Sequence, residues 1–380
     1  MSTNFHWQTE DDSVWNDLAE PGRPYEPGQR SWITVVVLLI VLSVGGWIIG
    51  RQVQQRVETA TADAEAEILA SHNLVRMAAA HGDAELFRTV LSGRSKNWMA
   101  SHSKLVEAKL LFDRSAFGLT PLAQAEPLSL TDVNIELSPE LQAAELRQVW
   151  PYAINRGQGV TETVQLEHIT VYRRGATRWL LSPPEPEFWG TWRTLQGERV
   201  SLTYPARDEA IVRRLAPDLD NLLNDVCHRL NDAACPADLY LQLRLETDPA
   251  SLLETAGLLA VAGGGYRLEL PAPSLVGLPL DERGYQALLR GYGAYVAAAA
   301  ITRLVDYDCC RDNIAQGLFY RALLDKQLSQ LGLRPWPLTP AEYEQLLTRA
   351  AGQTFLAQDW LQRSLAPATA TNWREVYSIV

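Results

Sequence analysis

Twenty consecutive residues of this chain carry no charge, from Ser31 to Gly50, closed by Arg30 on one side and Arg51 on the other. The run reads Ser-Trp-Ile-Thr-Val-Val-Val-Leu-Leu-Ile-Val-Leu-Ser-Val-Gly-Gly-Trp-Ile-Ile-Gly. At about 1.5 Å per residue, a helix of this length covers roughly 30 Å, the thickness of a bilayer's hydrocarbon core. Helices of soluble cores seldom run so far without a charge. The segment is therefore expected to be a transmembrane helix over residues 32–50, with the lipid bilayer as its partner. Trp32 and Trp47 would sit at the interfaces that indole rings prefer, flanked by Arg30 and Arg51. A cleaved leader has a short basic start and a small-residue cleavage site. Here thirty residues precede the run, with acids at Glu10, Asp11, Asp12, Asp17, Glu20 and Glu26, and Arg51-Gln-Val-Gln-Gln-Arg56 follows it. The expectation is a signal anchor in a single-pass cell-membrane protein.

Orientation is not settled by the flanking arginines, because Arg23 and Arg30 balance Arg51 and Arg56. A short tail, one anchor and a large C-terminal region is the signal-anchor layout, which puts the C-terminal region outside the cytoplasm. Four cysteines, Cys227, Cys235, Cys309 and Cys310, agree with that side as candidate disulfide formers. Bridges from the helical region after Asp208 to the segment beyond Val305 are expected, with the adjacent Cys309 and Cys310 serving different partners. A shared zinc site fits poorly, since structural zinc favours Cys-x2–4-Cys knuckles.

The net charge is −11 and the densest basic patches are pairs such as Arg173-Arg174 and Arg213-Arg214, which excludes a nucleic-acid binder. Residues 1–31 are acidic and proline-rich, with Pro21, Pro24 and Pro27, and read as a disordered tail. Phe5, Trp7 and Trp15 within it offer a second reading, in which the tail docks a cytoplasmic partner such as a sigma factor. Beyond the tail, 47% hydrophobic and 21% charged residues are ordinary for a chain that buries a core.

Residues 51–82 read as a juxtamembrane helix, with Val53, Val57, Ala60, Ala64 and Ile68 at three- and four-residue steps and Gly82 as its stop. Asp83 is placed to cap a short helix from Ala84, and a further helix is expected over 96–109. Alternation then marks strands at 133–137, 160–174 and 177–181. His168 falls among the polar positions of the second strand and is expected at a surface or edge. Pro183 to Trp192 is expected to be an extended connector, with a domain boundary near 190–198. After it come a strand at 200–204, a helix over 208–230, strands at 239–245 and 266–270, and a helix near 281–305. Helices followed by antiparallel strands give an α+β class.

Two resemblances follow from these stretches. The break at Ala-His-Gly-Asp-Ala-Glu-Leu-Phe (80–87), with meandering strands ending Trp179-Leu-Leu-Ser-Pro-Pro, resembles the cone of SnoaL-like (nuclear-transport-factor-two-like) domains, over residues 60–190. Val200-Ser-Leu-Thr-Tyr-Pro-Ala-Arg-Asp-Glu-Ala and the elements after it resemble, over about residues 198–330, a gluzincin (clan MA) metallopeptidase domain, which is expected to occupy 198–365 with 366–380 as a tail. Active members carry His-Glu-x-x-His on the later helix, two zinc ligands one turn apart. Here Gly291, Tyr292 and Tyr295 stand in that region, and no histidine follows His228. This resemblance therefore implies a pseudo-peptidase without zinc.

Other signals are weaker. Gly263-Gly-Gly265 lacks the ending of a phosphate loop and suits a hairpin turn, Asp306, Asp308 and Asp312 suit a solvated loop, and no Gly-x-Ser-x-Gly elbow occurs. The expected function is a membrane-anchored, non-enzymatic protein with extracytoplasmic binding domains, needing no metal or cofactor. The alternatives are the tail-mediated regulator and an enzyme acting in the SnoaL-like cavity.

Overall fold

The computed structural model describes residues 30–122, 126–157, 160–229, 235–236, 239–255, 267–305, 314–339, and 341, 342, 344, 345 and 348. The N-terminal tail with Phe5, Trp7 and Trp15, the glycines 263–265, the acids 306, 308 and 312, Cys309, Cys310 and the segment 366–380 lie outside the described residues. The chain forms two compact units, residues 1–60 and 61–380.

Within the first unit the described residues are helical, as the opening stretch of α1 (Arg30–His81). Trp32, the Val, Leu and Ile side chains from Val35 to Ile49, and Trp47 are exposed. This is a helix long and apolar enough to cross a membrane. Val53 and Val57 are exposed as well.

In the second unit α1 becomes amphipathic. Ala64, Ile68, Val75, Ala78 and Ala79 are buried on one stripe, together with the polar Ser71, His72 and Arg76. Gly82 ends the helix at φ +71°, its N–H bonding the Ala79 carbonyl while Asp83 N–H bonds that of Ala78. The Asp83 carboxylate then accepts from the Glu85 and Leu86 N–H groups, starting α2 (Ala84–Thr89). Ser95 caps α3 (Lys96–Glu107).

A curled antiparallel sheet follows. Its centre is the long pair β3 (Ala143–Asn155) and β4 (Thr161–Arg174). The outer edge of β3 carries β1 (Leu119–Pro121) and β2 (Val133–Leu137), and that of β4 carries β5 (Trp179–Leu181). Strand β3 has no counterpart in the expected strands, because Pro151 interrupts a good alternation. The Pro151 carbonyl accepts from Leu122 N–H, so its nitrogen faces the same side, between β1 and β2, and no β3–β4 bond is lost.

The chain then passes α4 (Pro186–Trp189) into a second sheet: β6 (Trp192–Gln196), β7 (Val200–Pro205), β8 (Leu241–Glu246) and β9 (Arg267–Pro271), in that order. The connector thus closes with an edge strand, antiparallel to β7, whereas β7, β8 and β9 run parallel. Helix α5 (Glu209–Arg229) is the crossover between β7 and β8, and buries Val212, Leu215, Leu219, Leu223 and Val226. Short helices α6 (Ala250–Glu254) and α7 (Pro273–Val276) bracket β9, and α8 (Glu282–Leu304) and α9 (Ile314–Gln330) complete the layer.

The two sheets share one apolar core. It runs from Leu119, Trp150, Tyr152, Val164 and Leu166 of the first sheet into Leu202, Leu243, Leu270, Tyr292 and Tyr295 of the second half. Strand β10 (Leu278–Pro279) returns to pair with Leu166 and Glu167 of β4. Arg207 forks onto both carboxylate oxygens of Glu145 in β3, at 2.7 and 3.4 Å, and packs on the Phe188 ring. Change of sheet coincides with residues 181–192, yet both sheets belong to one compact unit.

Candidate functional site

Among the buried polar side chains of this half, Gln148, His72, His168 and Arg114 each have hydrogen-bond partners in the core. Gln148 stands in the buried row of β3 and is 1% exposed. Its Oε1 accepts from His72 Nε2–H at 2.8 Å, and His72 Nδ1 accepts from the Tyr172 hydroxyl at 2.8 Å. Burial holds the His72 imidazole neutral, lowering it to about 4, and raises the Tyr172 phenol.

His168 is also buried, correcting the surface position expected for it. It is in phase with Val164 and Leu166, which face the core; the apolar Ile169 and Val171, one position out of phase, disguised this. The Tyr152 hydroxyl donates to the Phe112 carbonyl at 2.9 Å, so His168 donates Nε2–H to Tyr152 at 2.8 Å. Burial, then the nearby Arg114 charge, hold His168 well below its ordinary value.

Arg114 is 3% exposed. Its guanidinium donates to the carbonyls of Leu110, Leu111 and Asp113 beyond the end of α3, and to those of Leu275 and Val276 in α7. A single cation thus joins two segments some 160 residues apart through carbonyl dipoles. Asp208 does a similar service with opposite charge, accepting the Ser274 N–H and O–H.

Beside this network lies a cavity of about 660 Å³, lined by α1, the segment after α3, Pro121, Leu122, Glu126, Pro127 and Trp150. Its walls are mainly apolar: Met77, Ala79, Ala80, Leu111, Phe112, Leu122 and Trp150. Phe112 and Trp150 stack at 4.3 Å and both meet His168 at an angle. Arg76 lines the same cavity, with its guanidinium 5.6 Å from the Trp150 ring centre and Nη1 donating to the Glu126 carbonyl. Asn73 pairs with both backbone groups of Leu128 and so fixes the adjoining loop. Met77 and Leu122 remain exposed there. The volume falls in the range of small-molecule sites, and Asn73, Arg76, His81, Lys109, Asp113 and Glu126 are the polar residues in its lining.

The residues singled out from sequence take other places. Arg51 lies 5.4 Å from the Trp47 ring, Trp32 and Trp47 are exposed, and the Arg30 side chain lies outside the description. Cys227 is bonded to Cys235, eight residues on, in place of the expected bridge from this helix toward the segment after Val305. Gly291, Tyr292 and Tyr295 are buried in α8 as packing groups. The Tyr292 hydroxyl donates to the Pro271 carbonyl and that of Tyr295 to the Thr255 carbonyl, each at 2.5 Å. A side chain at Gly291 would meet Phe117 at 2.7 Å. Among the described residues no group of three or more His, Cys, Asp or Glu side chains is arranged to hold a metal.

No family model, curated protein or solved structure matches this chain. The cavity escaped sequence reasoning because its lining comes from four separated segments. Arg76 had a local signal, being a charge on the apolar stripe of α1.

Proposed function

We propose that this protein is a membrane-anchored, non-enzymatic binding protein, held in the cell membrane by residues 32–50, with its folded region outside the cytoplasm. The observation that carries the binding role is the apolar cavity of about 660 Å³ beside Arg76 and Trp150. The charge-free exposed helix supports anchoring. The Cys227–Cys235 bond supports the extracytoplasmic side, since such bonds persist in oxidising compartments. Two features support the lack of catalysis: the buried histidines are engaged with Gln148, Tyr172 and Tyr152, and α8 has packing tyrosines where a peptidase-like helix would carry zinc ligands. On this reading the second half is a pseudo-peptidase domain packed against a SnoaL-like half.

The test uses the full chain in phosphatidylcholine nanodiscs and the neutral fluorophore N-phenyl-1-naphthylamine. Saturable binding above the empty-disc background is expected, and Ala80→Phe, which fills the cavity, abolishes it. Equal binding by the wild type and this variant, or none by either, counts against the reading. Labelling of Cys227 and Cys235 in intact cells by an impermeant thiol reagent after reduction tests the orientation.

A further inference from the structure

A second cavity, of about 1130 Å³, shares no described lining residue with the first. Four arginines from four elements converge on it: Arg156 at the β3–β4 turn, Arg290 on α8, Arg321 on α9 and Arg334 beyond α9. Among its described lining residues Asp325 is the sole acid. The chain as a whole carries −11, so this concentration of positive charge runs against its general balance.

The four are not equivalent. Arg156 is held by two bonds to Glu162, at 2.5 and 2.7 Å. Arg334 is held by a bond to the Ala116 carbonyl at 2.8 Å, with its guanidinium 5.9 Å from the Tyr295 ring centre. Arg290 is half-buried and Arg321 exposed, and neither has an ion-pair partner among the described residues. One arginine whose charge Glu162 offsets, one held by a backbone carbonyl, and two without an ion-pair partner among the described residues therefore line one space, leaving three cations there against the one lining acid, Asp325. Converging like charges repel, and an anion in the middle removes that cost. Guanidinium forks match the oxygens of phosphate closely, and several of them suit a ligand with several charges. The cavity is wider than a lone carboxylate needs.

We infer that this cavity binds a small soluble anion bearing more than one phosphate, with Arg290 and Arg321 as its principal ligands and Arg156 and Arg334 as prepositioned support. The site is separate from the apolar cavity, so either assignment stands or falls alone.

The test is calorimetric titration of the full chain, in phosphatidylcholine nanodiscs, with sodium tripolyphosphate. One-to-one saturable binding that weakens as salt is raised is expected. Arg290→Gln and Arg321→Gln each weaken it by about tenfold, the effect of losing a charge-assisted bond. Arg178→Gln, away from the cavity, and Ala80→Phe leave it unchanged. Both cavity variants melt at or slightly above the wild-type temperature, because neither arginine has an ion-pair partner among the described residues and each substitution removes one of the like charges. Absence of saturable heat, wild-type affinity in both variants, or citrate binding as tightly as tripolyphosphate overturns the assignment.

Discussion

Replacing Asp208 by asparagine should stabilise this protein at neutral pH, although it deletes a buried charge that holds two hydrogen bonds. Asp208 is 1% exposed and accepts from Ser274 N–H at 3.0 Å and Ser274 O–H at 3.1 Å. Burial raises its carboxyl from 3.8 to about 6, and the bonds from Ser274 and the Arg207 charge only partly offset this. The folded value lies above the unfolded one. The group's favourable contribution is therefore complete below pH 3.8 and lost as pH rises through 6. At pH 7.5 folding has to dehydrate the ionised carboxylate. A displacement of about two pH units at 1.36 kcal/mol each corresponds to about 3 kcal/mol, an upper bound for the gain. The Asp208→Asn side chain keeps an oxygen for Ser274 N–H and offers its amide to the Ser274 hydroxyl, which can rotate to accept. For a unit of this size the gain amounts to a rise of roughly 5–10 °C in melting temperature. Unfolding of the full chain in nanodiscs, followed by tryptophan fluorescence at pH 7.5 and pH 4, measures it. The advantage should be present at pH 7.5 and nearly gone at pH 4. A variant that is less stable at pH 7.5, or whose advantage grows on acidification, would show that the bonds to Ser274 outweigh dehydration.

The buried histidines act in the opposite sense. His72 is lowered to about 4, and His168 is lowered too, so their contribution is present above pH 6.5 and lost as pH falls toward their folded values. Unfolding free energy should fall on acidification below pH 6.5 by up to about 1.4 kcal/mol per pH unit for each histidine. His168→Phe should flatten that slope in urea titrations, and an unchanged slope would remove His168 from the account. Gly291→Ala should lower stability by about 1–3 kcal/mol despite alanine's better helix propensity, because its methyl meets Phe117 at 2.7 Å. Thermal melting at or above the wild-type temperature would refute that close packing. Arg114→Met should cost about 3 kcal/mol in urea unfolding, as the carbonyls of Leu275 and Val276 lose their donor while a buried cation is relieved.

Elements whose signal is local are legible in the order of the amino acids alone. Twenty uncharged residues make a helix that water cannot easily cover, whatever the rest of the chain does. Gly82 and Asp83 end one helix and start the next through groups within five residues of each other. The strands at 133–137 and 200–205 and the helices over 209–229 and 282–304 follow expected periodicities to within a few residues. Packing settled everything that depends on which strand lies beside which. The strand at 143–155 was not among those expected, and Pro151 fits within it because its nitrogen faces the gap between β1 and β2. His168 looked polar by its neighbours, but Tyr152 supplies a partner that offsets its loss of water. Gly291, Tyr292 and Tyr295 have meaning only against Phe117, Pro271 and Thr255, each distant in sequence. The same reason hid both cavities. Hydrogen bonds within a turn are written in neighbouring residues, whereas a cavity is the space left when residues tens to hundreds of positions apart are packed together, as Asn73 and Trp150 or Arg156 and Arg334 are.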